Sequence, residues 1–405
     1  MYTVYLYDRP IGIIERRGTG LRFTYAESAL SDGALPALSL SLPKRAEPYA
    51  DRKAGVFFRN LLPEHAYRRL ISAAAGATVD DSTALLGAIG GECPGAVSIW
   101  PEDQAPPKTH EYQRLGTEDL EQLLEPASPR LGDAVLRGRL SLPGVQHKIA
   151  LFRDDDGAWR LPLRGAVTSH IVKRPTDDYP NLAENELVCT ALARATGLGV
   201  PDWGLVTATR RAFCIERFDR VPSGDPAGPP RRKLHQEDFC QILSVKPEMK
   251  YQAEGGPGVH QCADVIRAHC ALPAVDLPAL VKWVGFNYLI GNADAHAKNL
   301  ALLYTERGLQ LSPHYDLVST EVYPHVERAM AMKIGSSWDI RNVQNSDWRR
   351  FAGMVRLPWS NVRTLLSEVA DAMASTVAPV MEQQEDQVGT NPIFDGVRHV
   401  VDRHL

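Results

Sequence analysis

Hydrophobic and polar positions alternate with a period of two near the start of the chain, a pattern that predicts β-strands. Three such runs, "YTVYLYD", "IGIIERR" and "LRFTYAE", are separated by Gly and Pro. They precede "GVFFRNLLPEHAYRRLISAAAG", whose apolar spacing and final glycine, Gly76, predict a helix. The opening part of the chain is therefore expected to form an α+β module.

A second group of strands follows a Pro-rich polar segment, "PEDQAPPKTH" (101–110), which is the clearest candidate for a domain boundary. Two strand-like runs, one starting at Ala134 and one at Lys148, flank the loop "SLPGVQH", and "DDDG" turns the second into a third. "SHIVKR" predicts a further strand, a helix spans 181–197, and "LVTATRRAFCIERFDR" predicts two more strands. These elements predict a mostly antiparallel sheet with one helix.

Helical periods dominate beyond about residue 235. We therefore expect an N-terminal module over 1–105, a sheet domain over 109–218 and a mainly helical domain over 219–405. The predicted class is α+β. The order of parts is that of a protein-kinase-like, two-lobed fold with an added N-terminal α+β module and a mainly helical C-terminal lobe.

Composition narrows the class of protein. The chain has 405 residues, 44% of them hydrophobic, with a net charge of -4, so a generally basic nucleic-acid binder is excluded. The six cysteines form no C-x-x-C pair and no regular framework. We therefore expect them to be buried or free thiols in a reducing compartment. The sequence predicts no signal peptide and no membrane span, and we expect a cytoplasmic protein without a membrane partner.

The polar stretch "GNADAHAKNL" directly follows an apolar run, "DLPALVKWVGFNYLIG". That run predicts a helix with Asp276 as its N-cap and Gly291 as its stop. A hairpin, "LALLYTERGLQLS", comes next. If Arg307 and Gly308 form its turn, Asn299 lies opposite Asp316.

Those residue types suit phosphoryl transfer. The reaction needs a carboxylate that orients and deprotonates the attacking hydroxyl, and oxygen ligands that hold Mg²⁺ on the phosphates of ATP. Asp294 fits the catalytic base, and Asn299 and Asp316 fit the Mg²⁺ ligands. Lys298 is either a neutraliser of developing charge or a surface lysine, and His296 either a phosphate neighbour or a residue that fixes the loop.

Three upstream segments are candidates for nucleotide binding. Lys173, at the end of its predicted strand, is placed to contact ATP phosphates. The strand-to-helical-domain junction is the position of an adenine-binding hinge, formed by Glu216, Arg217 and Phe218. The loop after Ser141 would cradle phosphate through backbone N–H groups and a lysine; its residues are Pro143, Gly144, Val145, Gln146, His147 and Lys148.

Taken together, these segments resemble the HipA family of serine/threonine kinase toxins from bacterial toxin–antitoxin pairs. The matching stretches run in order along most of the chain: "VFFRNLLPE", "SLPGVQHKIAL", "IVKRP", "AENE", "GLGVPD", "ERFDR", "HQEDFCQ", "KYQAEGGPG", "GNADAHAKN" and "PHYD". The last 80 or so residues carry no matching motif.

The resemblance implies ATP and Mg²⁺ as cofactors and the roles given above for Asp294, Asn299, Asp316 and Lys173. It also implies that Ser141 is phosphorylated by the enzyme itself, which removes the ATP-competent loop. The implied partners are a small helix-turn-helix antitoxin (HipB-like), operator DNA reached mainly through that antitoxin, and a protein substrate such as an aminoacyl-tRNA synthetase.

Other interpretations remain open. One is that the chain is a catalytically silent scaffold that assists a DNA-binding partner. Another is that it is a small-molecule kinase of similar fold. A zinc site at His260, Cys262, His269 and Cys270 has suitable residue types but matches no common zinc spacing.

Overall fold

The computed structural model describes residues 1–125, 128–224 and 229–405. Its strands are, in chain order, β1 Tyr2–Leu6, β2 Arg9–Arg17, β3 Gly20–Tyr25, β4 Val97–Pro101, β5 Glu111–Arg114, β6 Lys148–Arg153, β7 Trp159–Leu163, β8 His170–Lys173, β9 Trp203–Thr207, β10 Arg211–Glu216, β11 Arg220–Pro222, β12 Arg231–Lys233, β13 Gln236–Asp238, β14 Ala301–Thr305, β15 Gly308–Leu311, β16 Ala329–Ile334 and β17 Ser337–Asp339.

The helices are α1 Glu27–Ser31, α2 Ala54–Arg59, α3 His65–Ala74, α4 Ser82–Ile89, α5 Thr117–Leu124, α6 Arg130–Gly138, α7 Leu182–Ala195, α8 Phe239–Ile242, α9 Val259–His269, α10 Pro273–Leu289, α11 Asn345–Met354, α12 Trp359–Val388 and α13 Pro392–His404. The predicted α+β class is confirmed. Within the described ranges, no helix is both long enough and apolar enough to cross a membrane.

The chain divides into two compact units. Unit 1 comprises 1–174 and 206–248, and unit 2 comprises 175–205 and 249–405. This division differs from the three expected domains, because the segment 101–110 does not separate compact units and the helix α7 belongs to unit 2.

Unit 1 contains two antiparallel sheets of four or more strands, besides the two-stranded pair β11–β12. The first has the strand order β3-β2-β1-β4, with Val4 opposite Ile99 across β1 and β4. In the second, β5, β7, β6, β8 and β10 are neighbours in that order. The predicted strands at the start of the chain, the "DDDG" hairpin and the lysine strand are therefore present, and in β8 Lys173 lies opposite Lys148 of β6.

One hydrophobic core serves both sheets of unit 1. It contains Ile14 and Phe58 from the N-terminal module together with Ile149 and Val172 from β6 and β8. Side chains alternate between the two faces of a strand, so Ile149 and Val172 face this core while Lys148 and Lys173 face the other way. The N-terminal module thus covers one face of the second sheet and leaves the lysine face uncovered by that core.

A buried ion network ties the same parts together. The Glu92 carboxylate accepts from Arg220 Nε at 2.9 Å and from Arg217 Nη1 at 3.3 Å, and Lys233 Nζ lies 3.3 Å from its other oxygen. Asp219 accepts from Arg217 at 2.8 Å. The side chains of Glu92 and Arg220 are 0% exposed. Burial alone would raise the pKa of Glu92, but the charges of Arg220, Lys233 and Arg217 outweigh burial and lower it.

Unit 2 is mainly helical, as expected for the C-terminal part of the chain. The helix α10 packs against α9, α12 and α13, and α7 packs against α12 and α13. Trp283 and Phe286 of α10 and Met373 of α12 are buried in its interior. Two hairpins, β14–β15 and β16–β17, complete the unit.

Three predicted elements are wrong in detail. The run from Ala134, expected as a strand, lies in helix α6, because Leu131, Ala134 and Val135 form one buried helical face. The helix expected around Phe57 is two helices, α2 and α3, since Pro63 disfavours helical backbone before it. The helix α10 starts at Pro273, and Asp276 lies in its first turn rather than at its cap.

The buried network predicts a large effect of neutralising Glu92. In Glu92→Gln, two arginines and a lysine lose their common counter-charge in a dry environment, so we expect the free energy of unfolding to fall by about 3–5 kcal/mol. Thermal and denaturant unfolding measure this free energy.

The matched control is Glu111→Gln, which breaks an exposed ion pair with Arg164 at 3.6 Å and should cost less than about 1 kcal/mol. Equal stability of the two variants would contradict the role given to the network.

Candidate active site

The polar decad after α10 is a fixed, largely buried loop of unit 2. Gly291 ends the helix with a φ of +65°, a left-handed conformation that glycine adopts without strain. Asn292 donates to Asn287 Oδ1 at 2.7 Å and accepts from the Asp294 N–H at 3.1 Å. The Ala293 N–H donates to the Thr320 hydroxyl at 2.8 Å, and the Ala293 carbonyl accepts from the Ala331 N–H at 2.7 Å. The decad is therefore not a solvated surface loop.

Asp294 is the partly exposed carboxylate of this loop. Its Oδ1 accepts a hydrogen bond from the Tyr251 hydroxyl at 2.7 Å, and its backbone oxygen accepts from the Asn299 amide at 3.3 Å. Asn299 ends a short 3-10 helix, Ala297–Asn299, and is only 4% exposed. Asp294 and Asn299, five positions apart in sequence, are therefore in direct contact.

His296 shows which charges gather around the loop. Burial lowers the pKa of its imidazole; Asp294 and Asp316 act against that shift, and Lys250 and Lys298 reinforce it. The four charged groups therefore all lie within electrostatic reach of this one ring. Asp294 and Asp316, separate in sequence, thus both act on the same ring.

The electrostatic effect of Asp316 on His296 does not come from the expected hairpin register. Glu306 and Arg307, not Arg307 and Gly308, form the turn, and Thr305 pairs with Gly308. The ladder ends at Leu302 opposite Leu311, before Asn299 or Asp316 is reached. The predicted pairing of Asn299 with Asp316 across the strands is therefore wrong.

Two of the uncertain residues have a clear environment. Lys298 is only 8% exposed, so it is not a surface lysine, and its carbonyl accepts from the Tyr315 hydroxyl at 2.8 Å. His296 is 5% exposed, and its ring packs edge-on against Tyr251 with the centroids 5.8 Å apart. Tyr251 and Lys250 were missed as site residues, although the stretch "KYQAEGGPG" drew attention to the segment.

The loop over 143–148 lies in unit 1, against the lysine face of β6 and β8. The Glu64 N–H donates to the Gly144 carbonyl at 3.0 Å, which fixes the loop to the N-terminal module. Gly144 has a φ of +106°, and a Cβ at that position would lie 2.8 Å from Lys148 Nζ. The ammonium group of Lys148 therefore lies close to the backbone of Gly144.

Lys173 occupies the neighbouring position on the same face. It is 6% exposed, lies opposite Lys148 and Phe213 in the sheet, and its Nζ is 5.7 Å from the centre of the Phe213 ring. Two lysines and a glycine loop therefore lie on one face of the sheet, and ammonium groups beside backbone N–H groups suit anions.

At the expected hinge, the three residues have different environments. The side chain of Arg217 is 2% exposed and belongs to the buried ion network, and Glu216 pairs with Arg231 at 2.6 Å. Phe218 is partly exposed. The Arg217 side chain therefore has no access to a ligand, so a contribution of this segment to nucleotide binding would come from backbone groups and Phe218.

Ser141 is fully buried. Its hydroxyl donates to the Leu61 carbonyl at 2.7 Å, and its N–H donates to the Glu92 carbonyl at 2.9 Å. The nearby Arg139 does not contact this hydroxyl; its guanidinium donates to the carbonyl oxygens of Gly87 and Ile99. No group of three His, Cys, Asp or Glu side chains in the described residues is arranged to hold a metal ion, which argues against the zinc site.

Comparison with known proteins identifies the family. A model described as the HipA-like C-terminal domain matches residues 140–377, and the HipA N-terminal domain matches residues 2–100. The chain belongs to the HipA family. The predicted enzyme class, a serine/threonine protein kinase of that family, is confirmed.

Relatives of the HipA family match along most of their lengths. The chain is 38% identical to Y4mE of Sinorhizobium fredii over 90% of this chain and 87% of the relative. It is 29% identical to the serine/threonine-protein kinase toxin HipA of Shewanella oneidensis, over 80% of this chain and 77% of that protein.

A solved HipA structure confirms the fold. It is the complex of HipA, HipB and operator DNA from Shewanella oneidensis, in which the matched chain is 26% identical and superposes with a TM-score of 0.83, covering 100% of this chain and 96% of that one.

One residue of this HipA-family chain has an unusual environment. Arg174 follows Lys173 directly, is 1% exposed, and none of its three side-chain nitrogens has a hydrogen-bond partner among the described residues. Burial lowers its pKa, with Tyr67 and Glu125 acting in the opposite direction. An unpaired guanidinium in a dry environment costs free energy, so the native sequence carries an internal destabilising group here.

We therefore expect Arg174→Met to be more stable than the native chain. The substitution keeps a long flexible side chain and removes an unpaired buried charge, so the free energy of unfolding should rise by about 1–3 kcal/mol, measured by thermal and denaturant unfolding. Arg153→Met, at a largely exposed arginine of the same sheet, is the control and should change it by less than about 0.5 kcal/mol. A loss of stability in Arg174→Met would show that the guanidinium is paired.

Proposed function

We propose that this chain is the toxin of a toxin–antitoxin pair and transfers the γ-phosphate of ATP to a serine of a protein substrate. The observation that carries the proposal is the environment of the buried His296 ring: Asp294, Asp316 and Lys298 all act on its pKa, and the Asn299 amide donates to the Asp294 carbonyl at 3.3 Å. Family membership supports the same reaction.

Asp294 would act as the catalytic base. It is the one polar side chain of the decad that is partly exposed, so it is the group that an incoming hydroxyl meets. The Tyr251 hydroxyl and the Asn292 amide fix its position, and a fixed carboxylate can orient the serine hydroxyl and accept its proton. Lys298 would neutralise charge that develops on the transferred phosphate, and His296, buried with a lowered pKa, would stay neutral and fix the loop.

Asn299 and Asp316 would hold Mg²⁺. An amide oxygen and a carboxylate are hard oxygen ligands, and a magnesium ion on ATP needs only one or two protein side chains because phosphates and water complete its shell. The absence of a group of three metal-binding side chains among the described residues is consistent with such a site. When bound, Mg²⁺ neutralises the β- and γ-phosphates.

Nucleotide binding is proposed for the positive face of unit 1. Lys148 and Lys173 would contact phosphates, together with N–H groups in the loop from Pro143 to His147. The adenine ring would bind at residues 216–218 through backbone groups and Phe218, since the Arg217 side chain is held inside the ion network.

Self-phosphorylation at Ser141 would switch the enzyme off. In the present conformation the hydroxyl is buried and bonded to Leu61, so this segment has to leave the module before the hydroxyl can react. A phosphate carries close to two negative charges and does not fit back against a carbonyl oxygen, so the modified loop would stay out. Nucleotide phosphates would then lose their N–H partners.

We propose a small helix-turn-helix antitoxin as the partner, with operator DNA reached mainly through it, because the superposed Shewanella structure is a complex of HipA, HipB and operator DNA. An aminoacyl-tRNA synthetase is the proposed type of substrate, and the cytoplasm is the proposed compartment.

The first test separates catalysis from binding. Asp294→Asn should lower phosphate transfer by about 100- to 10,000-fold while ATP affinity is retained, because only the base is lost. Asp316→Ala should instead weaken the affinity for Mg·ATP. Transfer is followed with labelled ATP and affinity by calorimetric titration.

Asp371→Asn, on the exposed face of α12, is the control and should behave like the native chain. Full transfer by Asp294→Asn would remove it from the role of base, and unchanged Mg·ATP affinity in Asp316→Ala would remove that residue from the metal site.

A second test concerns Ser141. After incubation with Mg·ATP, mass spectrometry should find phosphate on Ser141 in the native chain and none in Asp294→Asn. The modified species should bind ATP at least about tenfold more weakly, since its loop no longer offers N–H donors. Phosphate on other residues only, or normal ATP binding by the phosphorylated form, contradicts the switch.

A further inference from the structure

The last helix of the chain, α13, lies beyond residues 140–377 matched by the family model, yet two of its side chains, Arg403 and His404, bind one buried carboxylate. Glu321 Oε2 is 2.7 Å from His404 Nε2, and Glu321 Oε1 accepts from Arg403 Nη1 at 2.5 Å. Arg341, from the segment after β17, binds the same Oε1. The three groups hold Glu321 from two separate parts of unit 2.

Glu321 is an internal charge. Its side chain is 1% exposed and that of His404 is 3% exposed. Burial alone would raise the pKa of Glu321, but hydrogen bonds from His404 and Arg341, with their charges, lower it to about 2. The carboxylate is therefore ionised at neutral pH and depends on its partners to remain inside.

The backbone around Glu321 holds the start of the loop that carries Asp294. The Glu321 N–H donates to the Gly291 carbonyl at 3.1 Å, and the hydroxyl of the preceding residue, Thr320, donates to the same carbonyl at 3.0 Å. The Thr320 hydroxyl also accepts from the Ala293 N–H at 2.8 Å. Two consecutive residues thus fix the backbone on both sides of Asn292, directly before Asp294.

Gly291 is also in contact with α13 itself. A Cβ at this position would lie 2.6 Å from Cγ1 of Val400 and 2.8 Å from Cβ of Glu321, so backbone, helix and carboxylate meet without space for a side chain. Tyr288, one turn earlier on α10, packs edge-on against the His404 ring with the centroids 4.6 Å apart. The end of α10 is therefore bounded by α13 through Val400 and His404.

We infer that Glu321 is a positioning residue for phosphate transfer, and that Arg403 and His404 of the C-terminal helix set its place and thereby the place of Asp294. This inference rests on the proposed role of Asp294 as base. Removing one of its three partners leaves the buried charge of Glu321 only partly compensated, so the carboxylate has to move toward water and take the 320–321 backbone with it. The loop from Gly291 to Asp294 then loses three hydrogen bonds or the geometry that makes them.

A displaced base should affect catalysis more than binding, because misplacement of a reacting group by about 1 Å lowers a rate by up to roughly 100-fold. Nucleotide phosphates are proposed to bind through unit 1, which none of these residues belongs to. The expected signature is a lower rate at saturating Mg·ATP with little change in the ATP concentration that gives half of that rate.

The experiment measures transfer from labelled ATP by Glu321→Gln, Arg403→Gln and His404→Gln in the full chain. Glu321→Gln keeps the size of the side chain and removes its charge. We expect its rate to fall roughly tenfold or more and half-saturation to change less than about twofold. The double variant Glu321→Gln/His404→Gln should lose no more than Glu321→Gln alone, because the helix acts through that one carboxylate. Arg403→Lys, which keeps the charge, should retain most of the rate.

The matched control lies on the same helix. Arg398 and Asp402 form an ion pair on its exposed face, at 4.0 Å with side chains 54% and 57% exposed. Arg398→Gln and Asp402→Asn change charges within one or two turns of His404 without touching Glu321, and should transfer phosphate at the native rate. Thermal unfolding of every variant shows which ones are folded.

Hydrogen exchange supplies a measurement that does not depend on catalysis. Amides in the peptide 291–300 should exchange faster in Glu321→Gln, Arg403→Gln and His404→Gln than in the native chain, while core peptides of unit 1 are unchanged. If Glu321→Gln fails to fold, Arg403→Gln and His404→Gln still test the inference, because their side chains are at the end of α13.

Native rates in the folded Glu321 and α13 variants, native exchange in the loop, or an equal loss in the Arg398 and Asp402 controls would overturn the inference. A native chain that transfers no phosphate, or an Asp294→Asn variant as active as the native chain, would instead overturn the proposed function, and the exchange data would then decide on the positioning of the loop alone.

Discussion

Unit 1 depends on the charge pairing around Glu92. Its carboxylate comes from the loop after α4 of the N-terminal module. Arg217 directly follows β10, Arg220 begins β11, and Lys233 ends β12. Ions buried this completely are tolerated only when each has its partners, so the three segments have to assemble together. The same requirement fixes the chain just after Glu216, and this leaves backbone groups and Phe218 as the parts of that segment with access to a ligand.

Local pattern predicted the elements whose neighbours are close in sequence. The first strands, the "DDDG" hairpin and helix α7 follow from alternation, turn residues and a terminal glycine. The pattern failed from Ala134 onward, because a short amphipathic helix such as α6 and a strand contain the same apolar residues, and only packing against other elements decides between them. It also failed at Pro63, where one proline divides a helix that otherwise has the right spacing.

The site was predictable to the extent that its residues are consecutive. The decad after α10 carries Asp294 and Asn299 in one loop, and their contact follows from that spacing. The hairpin register was not predictable from "TERG", since the turn is formed by Glu306 and Arg307 and Gly308 already begins β15. Tyr251 and Glu321 were missed because each acquires its role from a contact more than 25 residues away, as in the 43-residue separation between Tyr251 and Asp294.

The exposed coil over 102–109 has a consequence for how the chain can be divided. It connects β4 to β5 and contains no helix or strand, so a protease or an engineered break would find it accessible. The two sides of such a break nevertheless share one hydrophobic core and one ion network, with Phe58 and Glu92 before it and Val172 and Arg220 after it. A nicked chain would therefore remain a single non-covalent assembly, and the N-terminal fragment expressed alone would expose the apolar surface that normally faces β6 and β8.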